Sequence, residues 1–261
     1  MKKILLLFLF IAFLSPKIKA QDSLKIDSTQ YEKASLKISD YDDSHQYTYK
    51  KLIVPSVLIS YGVASLSFQP IRHLNLSTKT EILEHKPDHV RLDNYTQYAP
   101  AAIVYGLNAF GVKGEHNLRD RSIILGTSLL FTTAFVVPLK HIVKEERPDQ
   151  TNTLSFPSGH TATAFATAQF MYREYKNTNI ILGVSGYSLA IFTGVYRMLN
   201  NKHWFGDVVA GAGFGILSTE LAYWLYPKIN NLLGGKKENV QVMITPFYQK
   251  GSAGIGFVKT F

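Results

Sequence analysis

The sequence predicts an all-α protein: a membrane-embedded bundle of about six apolar helices, followed by a short C-terminal β-hairpin. Three observations predict this. Apolar segments of helical length recur at 52–68, 98–112, 122–139, 161–172, 179–196 and 208–226, bounded by Gly, Pro and Asn. Hydrophobic residues are 46% and charged residues 18% of the 261, which excludes a disordered chain and implies a large buried interior. After Pro227 the pattern switches to the alternation of strands.

Taken in order, residues 1–20 read as a secretory signal peptide. Lys2 and Lys3 precede an apolar core at 4–14, and Ala20 offers a small residue at the cut, although Ile18 stands where a second small residue is usual. The alternative is an uncleaved anchor. Residues 21–50 are a polar N-terminal segment, a linker or a surface helix. Residues 51–228 form the helical domain.

Within that domain, 122–139 and 208–226 come closest to membrane length. The small residues of "GAGFG" (211–215) permit close helix approach. The segment 98–112 is short and is expected not to span. Membrane embedding is favoured over a helical periplasmic globule. Residues 229–261 are a Gly-rich linker and the C-terminal hairpin, and one hairpin cannot close a barrel.

The formal charge is +9, and it falls to +5 without Lys2, Lys3, Lys17 and Lys19 of the first twenty residues. No basic run is interleaved with aromatics, so the surplus points to anionic lipid or phosphate rather than nucleic acid. Cysteine is absent, which removes disulfides and cysteine-ligated metals.

Three stretches carry chemistry. In "KHIVKEERP", Lys140 and Arg147 are seven apart, one face of a helix if the helix continues, and Pro148 stops or turns it. Such cations can clamp phosphate oxygens, Arg bidentately and Lys as a point charge; a solvated helix end is the plainer reading. In "PSGH", Pro157, Ser158 and Gly159 suit a helix start whose free N–H groups bind an anion, with His160 beside it. A capped helix bearing a surface histidine is the plainer alternative.

In the third stretch Arg197 precedes His203 by six positions and Asp207 by ten. His203 and Asp207 share a face if the next helix starts early, and Asp207 caps that helix if it starts later. Either way a carboxylate can hold one ring nitrogen and aim the other lone pair outward, the orienter logic of triads applied to a histidine nucleophile. A satisfied core histidine is the alternative. Together the stretches supply three cations, a helix N-terminus and two histidines in distinct roles, with no carboxylate-rich ligand set and no HExxH.

These motifs, Lys140 to Arg147-Pro148, Pro157-Ser158-Gly159-His160, and Arg197 to His203 to Asp207, resemble the tripartite signature of the type 2 phosphatidic acid phosphatase and vanadium haloperoxidase superfamily. The resemblance covers roughly residues 95–227. It departs at Tyr196, where the family usually has Ser.

The resemblance implies a metal-independent phosphatase with no cofactor, acting on a lipid phosphate or diphosphate at a bacterial membrane. It implies that His203 attacks phosphorus, Asp207 orients it, and His160 protonates the leaving oxygen and then activates water. Lys140, Arg147, Arg197, Ser158 and the Gly159 N–H would hold the phosphoryl oxygens. It also implies an inner-membrane site facing the periplasm. The alternatives are a soluble-type periplasmic acid phosphatase, a vanadate haloperoxidase, and a non-catalytic lipid-phosphate binder.

Overall fold

The computed structural model describes residues 48–84 and 91–233, and the backbone of 242–249 and 252–259. The signal peptide, nearly all of the polar 21–50 segment and the 234–241 part of the linker lie outside the described residues.

Eight helices, rather than about six, are present among the described residues. They are α1 Lys50–Ser67, α2 Gln69–Glu84, α3 Asp93–Thr96, α4 Ala99–Ala109, α5 Leu118–Val143, α6 Gly159–Tyr175, α7 Ile180–Leu199 and α8 Phe205–Leu232. The six apolar segments correspond to α1 and α4–α8. The additional helices leave no apolar run to detect: α2 is largely polar, and α3 is a single turn. Strands β1 Val242–Gln249 and β2 Ser252–Lys259 pair antiparallel, with Gln249 opposite Ser252.

Local chemistry sets the boundaries. Asn117 caps α5 by accepting from the Asp120 N–H at 2.9 Å, and Asn179 caps α7 by accepting from the Leu182 N–H at 3.0 Å. Pro70 forces a break between α1 and α2, so extended Phe68 joins two helices that meet at 87°. Helix α5 ends where Lys144 enters the left-handed region at φ 51°, its N–H returning to the Lys140 carbonyl. The helix therefore does not continue from Lys140 to Arg147, and Arg147 sits on a loop.

Helix α8 is central, packed against α6, α1 and α5, while α7 packs on α6. Small residues let α8 and α6 meet backbone to backbone. A side chain at Gly211 would stand 2.6 Å from the Ser158 carbonyl oxygen, and one at Gly215 would strike the Ala162 carbonyl. The core at one end gathers Val104, Ile124, Phe170, Met171 and Tyr223; a smaller cluster of Phe156, Ala210 and Phe214 lies towards the other.

Helices α5, α7 and α8 are long and apolar enough to cross a membrane, and the bent α1–α2 pair adds up to one more span. Val54 and Val57 on α1, Leu130 and Ile142 on α5, and Ile181 and Ile191 on α7 all face outward. A bilayer would cover these side chains, whereas a helix on a water-exposed surface would carry polar ones there.

Candidate active site

Alternation of chain direction brings the C-terminal ends of α5 and α7 beside the N-terminal ends of α6 and α8. The loop 144–158 and the loop 200–204 consequently share one end of the bundle. The Ser158 N–H donates to the Asp207 carbonyl at 3.0 Å, tying the start of α6 to the start of α8. Trp204 Nε1 donates to the Glu146 carbonyl at 2.8 Å, and Lys202 pairs with Asp149 at 2.5 Å. Helix α2 closes one side: Asn75 Oδ1 accepts from the Gly206 N–H at 2.9 Å, and Lys79 donates to the Pro148 carbonyl at 2.9 Å.

The structure brings all eight sequence-predicted residues to this end. Lys140 leaves the last turn of α5 and donates to the carbonyls of Leu154 at 2.7 Å and Ser155 at 3.2 Å. Its Cε lies 3.9 Å from where a side chain on Gly159 would begin, so cation and helix N-terminus adjoin. Ser158 is the N-cap of α6 and is fully buried, and its hydroxyl is engaged with Thr161 Oγ1 at 2.8 Å.

Asp207 lies in the first turn of α8 rather than a full turn along it. Asp207 is not the cap expected of a later start: Trp204 is the N-cap, and Asp207 at the third position reaches back, its Oδ2 accepting from the Trp204 N–H at 2.9 Å. The same oxygen accepts from Ser155 Oγ at 2.5 Å and stands 3.5 Å from His203 Nδ1. That last separation is long for a hydrogen bond and within the range that tightens on substrate binding.

His203 and Asp207 are both buried. Burial, reinforced by the cations Lys140 and Arg197 and opposed by Asp207, holds the His203 imidazole down at about 4. His160 is likewise held at about 4, first by burial and then by Arg197. Both rings are neutral at pH 7. Arg147 is lowered by burial and by Arg197.

Lys140, Arg147 and Arg197 all act electrostatically on His160, so three cations share its surroundings. The Nε atoms of Arg147 and Arg197 are buried without a hydrogen-bond partner. Unsatisfied guanidinium donors near a helix N-terminus are groups of the kind that can hold a tetrahedral oxyanion. Among the described residues, no group of three or more His, Asp or Glu side chains could hold a metal ion.

Residues 121–231 match the PAP2 superfamily. The match spans 111 of the 261 residues. All eight predicted site residues fall inside the matched segment. The chain is 39% identical over 140 residues to the lipid A 1-phosphatase of Porphyromonas gingivalis, covering 52% of this chain and 31% of that protein. It is 31% identical over 100 residues to the bacitracin transport permease protein BcrC of Bacillus licheniformis, covering 38% and 47%. It thus spans less than half the length of either curated relative.

Two crystal structures are also similar. Aquifex aeolicus LpxE is 22% identical with a TM-score of 0.44, over 57% of this chain and 94% of that one. A transmembrane PAP2-type phosphatidylglycerolphosphate phosphatase from Bacillus subtilis is 15% identical with a TM-score of 0.44, over 74% and 100%.

Sequence reasoning missed several members of this site. Asp93 pairs with Arg197 at 2.5 Å, and Asn94 Oδ1 stands 2.8 Å from His160 Nε2, both from the short α3. Ser155 and Glu145 reach Asp207 from the 144–158 loop. None has a spacing that marks it; each is recruited across more than 50 residues of chain.

Proposed function

We propose that this protein hydrolyses a phosphate monoester or diphosphate of an envelope lipid through a phosphohistidine intermediate. The observation that carries this reading is the convergence of His203, backed by Asp207, with His160 and three cations at one end of the bundle. His203 Nε2 attacks phosphorus while the bond to the leaving oxygen breaks, and His160 delivers a proton to that oxygen. Water then attacks the phosphohistidine, His160 takes its proton, and phosphate departs from His203.

Electrostatics supports these roles. A neutral, buried His203 keeps its lone pair free for attack. His160 must be protonated to act as an acid. An incoming phosphate dianion offsets the cations that depress its pKa and so supplies that proton affinity. The cations and the α6 N-terminus stabilise the negative charge on the equatorial oxygens, with no metal required in this scheme.

The apolar outer faces of α1, α5 and α7 favour a lipid substrate. Similarity to a lipid A 1-phosphatase makes a glycosidic phosphate of a lipid A-type glycolipid the first substrate to try. A periplasmic site belongs to the same reading. Helix α4 carries the chain from Asp93 and Asn94 at the site to Asn108 beside Tyr175 at the opposite end, and α5 returns it to the loop 144–158.

The test is phosphate release by the purified protein in detergent, with chelator present, across lipid A, phosphatidate, undecaprenyl diphosphate and p-nitrophenyl phosphate. Release from a lipid substrate with chelator is the expected result. Release only from the soluble ester would overturn the lipid assignment, and none from any substrate would overturn the enzyme.

A further inference from the structure

One oxygen of Asp207 is crowded while the other is bare of ordinary donors. Oδ2 accepts from the Ser155 hydroxyl and the Trp204 N–H and faces His203 Nδ1. Oδ1 is sealed from solvent and meets no N–H or hydroxyl donor. Glu145 Oε2 is sealed in the same way and also meets none. Yet the two carboxyl groups adjoin: the Ser155 N–H donates to the Glu145 carbonyl, its hydroxyl donates to Asp207 Oδ2, and each carboxyl acts on the other.

Two ionised carboxylates cannot make that contact, because neither has a hydrogen to donate and their charges repel. One proton must lie between them. Asp207 already draws hydrogen bonds that favour its anionic form, so the proton resides on Glu145.

We infer that Glu145 is a positioning residue for the nucleophile: as a neutral carboxylic acid it donates to Asp207, fixing the carboxylate that orients His203. The loop is built for this. The Ser155 N–H donates to the Glu145 carbonyl at 3.0 Å, so one backbone bond carries both the Ser155 hydroxyl and the Glu145 carboxyl to Asp207. Burial and then Asp207 raise the Glu145 carboxyl to about 9, against the pull of Arg72 from α2. Asp207 from α8 and Arg72 from α2 are the charged groups acting on it. The chain Glu145–Asp207–His203 is thus one link longer than the signature motifs, and the role rests on the phosphatase reading above.

The test compares Glu145→Gln with Glu145→Ala in the full chain in detergent. The amide of Gln keeps the shape and a donor without a titrating proton. Glu145→Gln is expected to retain kcat on phosphatidate within about threefold. Glu145→Ala is expected to lose about 10–100-fold in kcat with KM little changed, the loss seen when an outer-shell orienter is removed. Wild-type kcat is expected to fall above about pH 9, where an ionised Glu145 would face ionised Asp207, and the Gln variant should lack that limb. Equal losses in both variants, or in neither, would overturn the assignment.

An activity-independent measurement separates this claim from the phosphatase reading. At pH 7 the wild type should show the infrared carbonyl band of a protonated carboxylic acid, absent from Glu145→Gln. A missing band overturns the shared proton whatever the activity. The band without phosphate release leaves the shared proton standing and sinks the phosphatase reading alone.

Discussion

Arg197 Nη1 donates to Asp93 Oδ2 at 2.5 Å, and both side chains are nearly sealed from solvent. The pair joins the end of α7 to α3, a single helical turn that the apolar pattern does not reveal. It fixes one nitrogen of the guanidinium and leaves Nε unpartnered. Asp93→Ala leaves an uncompensated buried cation and is expected to destabilise the fold by about 3–5 kcal/mol. It should also raise the inhibition constant of orthovanadate. Thermal unfolding and inhibition titrations check this; wild-type values for both would remove Asp93 from the site.

The nucleophile and its orienter should fail in different ways. His203→Ala abolishes the covalent intermediate. Asp207→Asn keeps the packing but disturbs the ring's tautomer, and a loss on the order of 10⁴ in kcat is expected. Rapid quench with radiolabelled substrate should trap an acid-labile phosphoramidate in the wild type and none in His203→Ala. Label retained by His203→Ala would move the nucleophile elsewhere.

Acid should weaken the fold through the same histidines. His203 and His160 are held at about 4 in the folded chain, against 6.5 for a free imidazole. Between those values the unfolded chain binds more protons, so stability is full above about pH 6.5 and is lost as pH falls towards 4. A falling Tm across that window is expected, with a shallower slope in His203→Gln. An identical slope in the variant would show that His203 is not held neutral.

Gly211 is a packing prediction. Its position admits no Cβ without displacing the Ser158 carbonyl or Thr161. Gly211→Ala should cost about 1–3 kcal/mol through overpacking and should lower activity by shifting the α6 N-terminus. A variant with wild-type Tm and activity would mean that the α6–α8 contact yields freely.

Sidedness can be read with single cysteines, since the chain has none of its own. Thr153 is exposed on the 144–158 loop and Asn201 is half-buried on the 200–204 loop. Thr153→Cys and Asn201→Cys should both react with an impermeant maleimide in intact spheroplasts. Labelling only after lysis would place the site in the cytoplasm.

Much of the site was legible because its residues lie in short, ordered motifs. Lys140, Arg147, Ser158, Gly159, His160, Arg197, His203 and Asp207 converge at one bundle end. The six apolar segments were legible because helices of that length must bury or lipid-shield an apolar stripe. The start of α8 was ambiguous because capping and facing place Asp207 equally well beside His203. Helix α2 escaped notice because its role, holding Gly206 and Pro148, uses polar side chains.

By itself the sequence determined the chemistry available: a mainly helical chain whose motifs place two histidines, three cations and a helix start at set intervals. Local spacing dictates that much, since periodicity and capping act over a few residues. Only the tertiary structure decided which groups support them. Asp93, Asn94, Ser155 and Glu145 reach the site by long-range packing, where burial and a neighbouring charge, not spacing, set what a carboxyl or amide does.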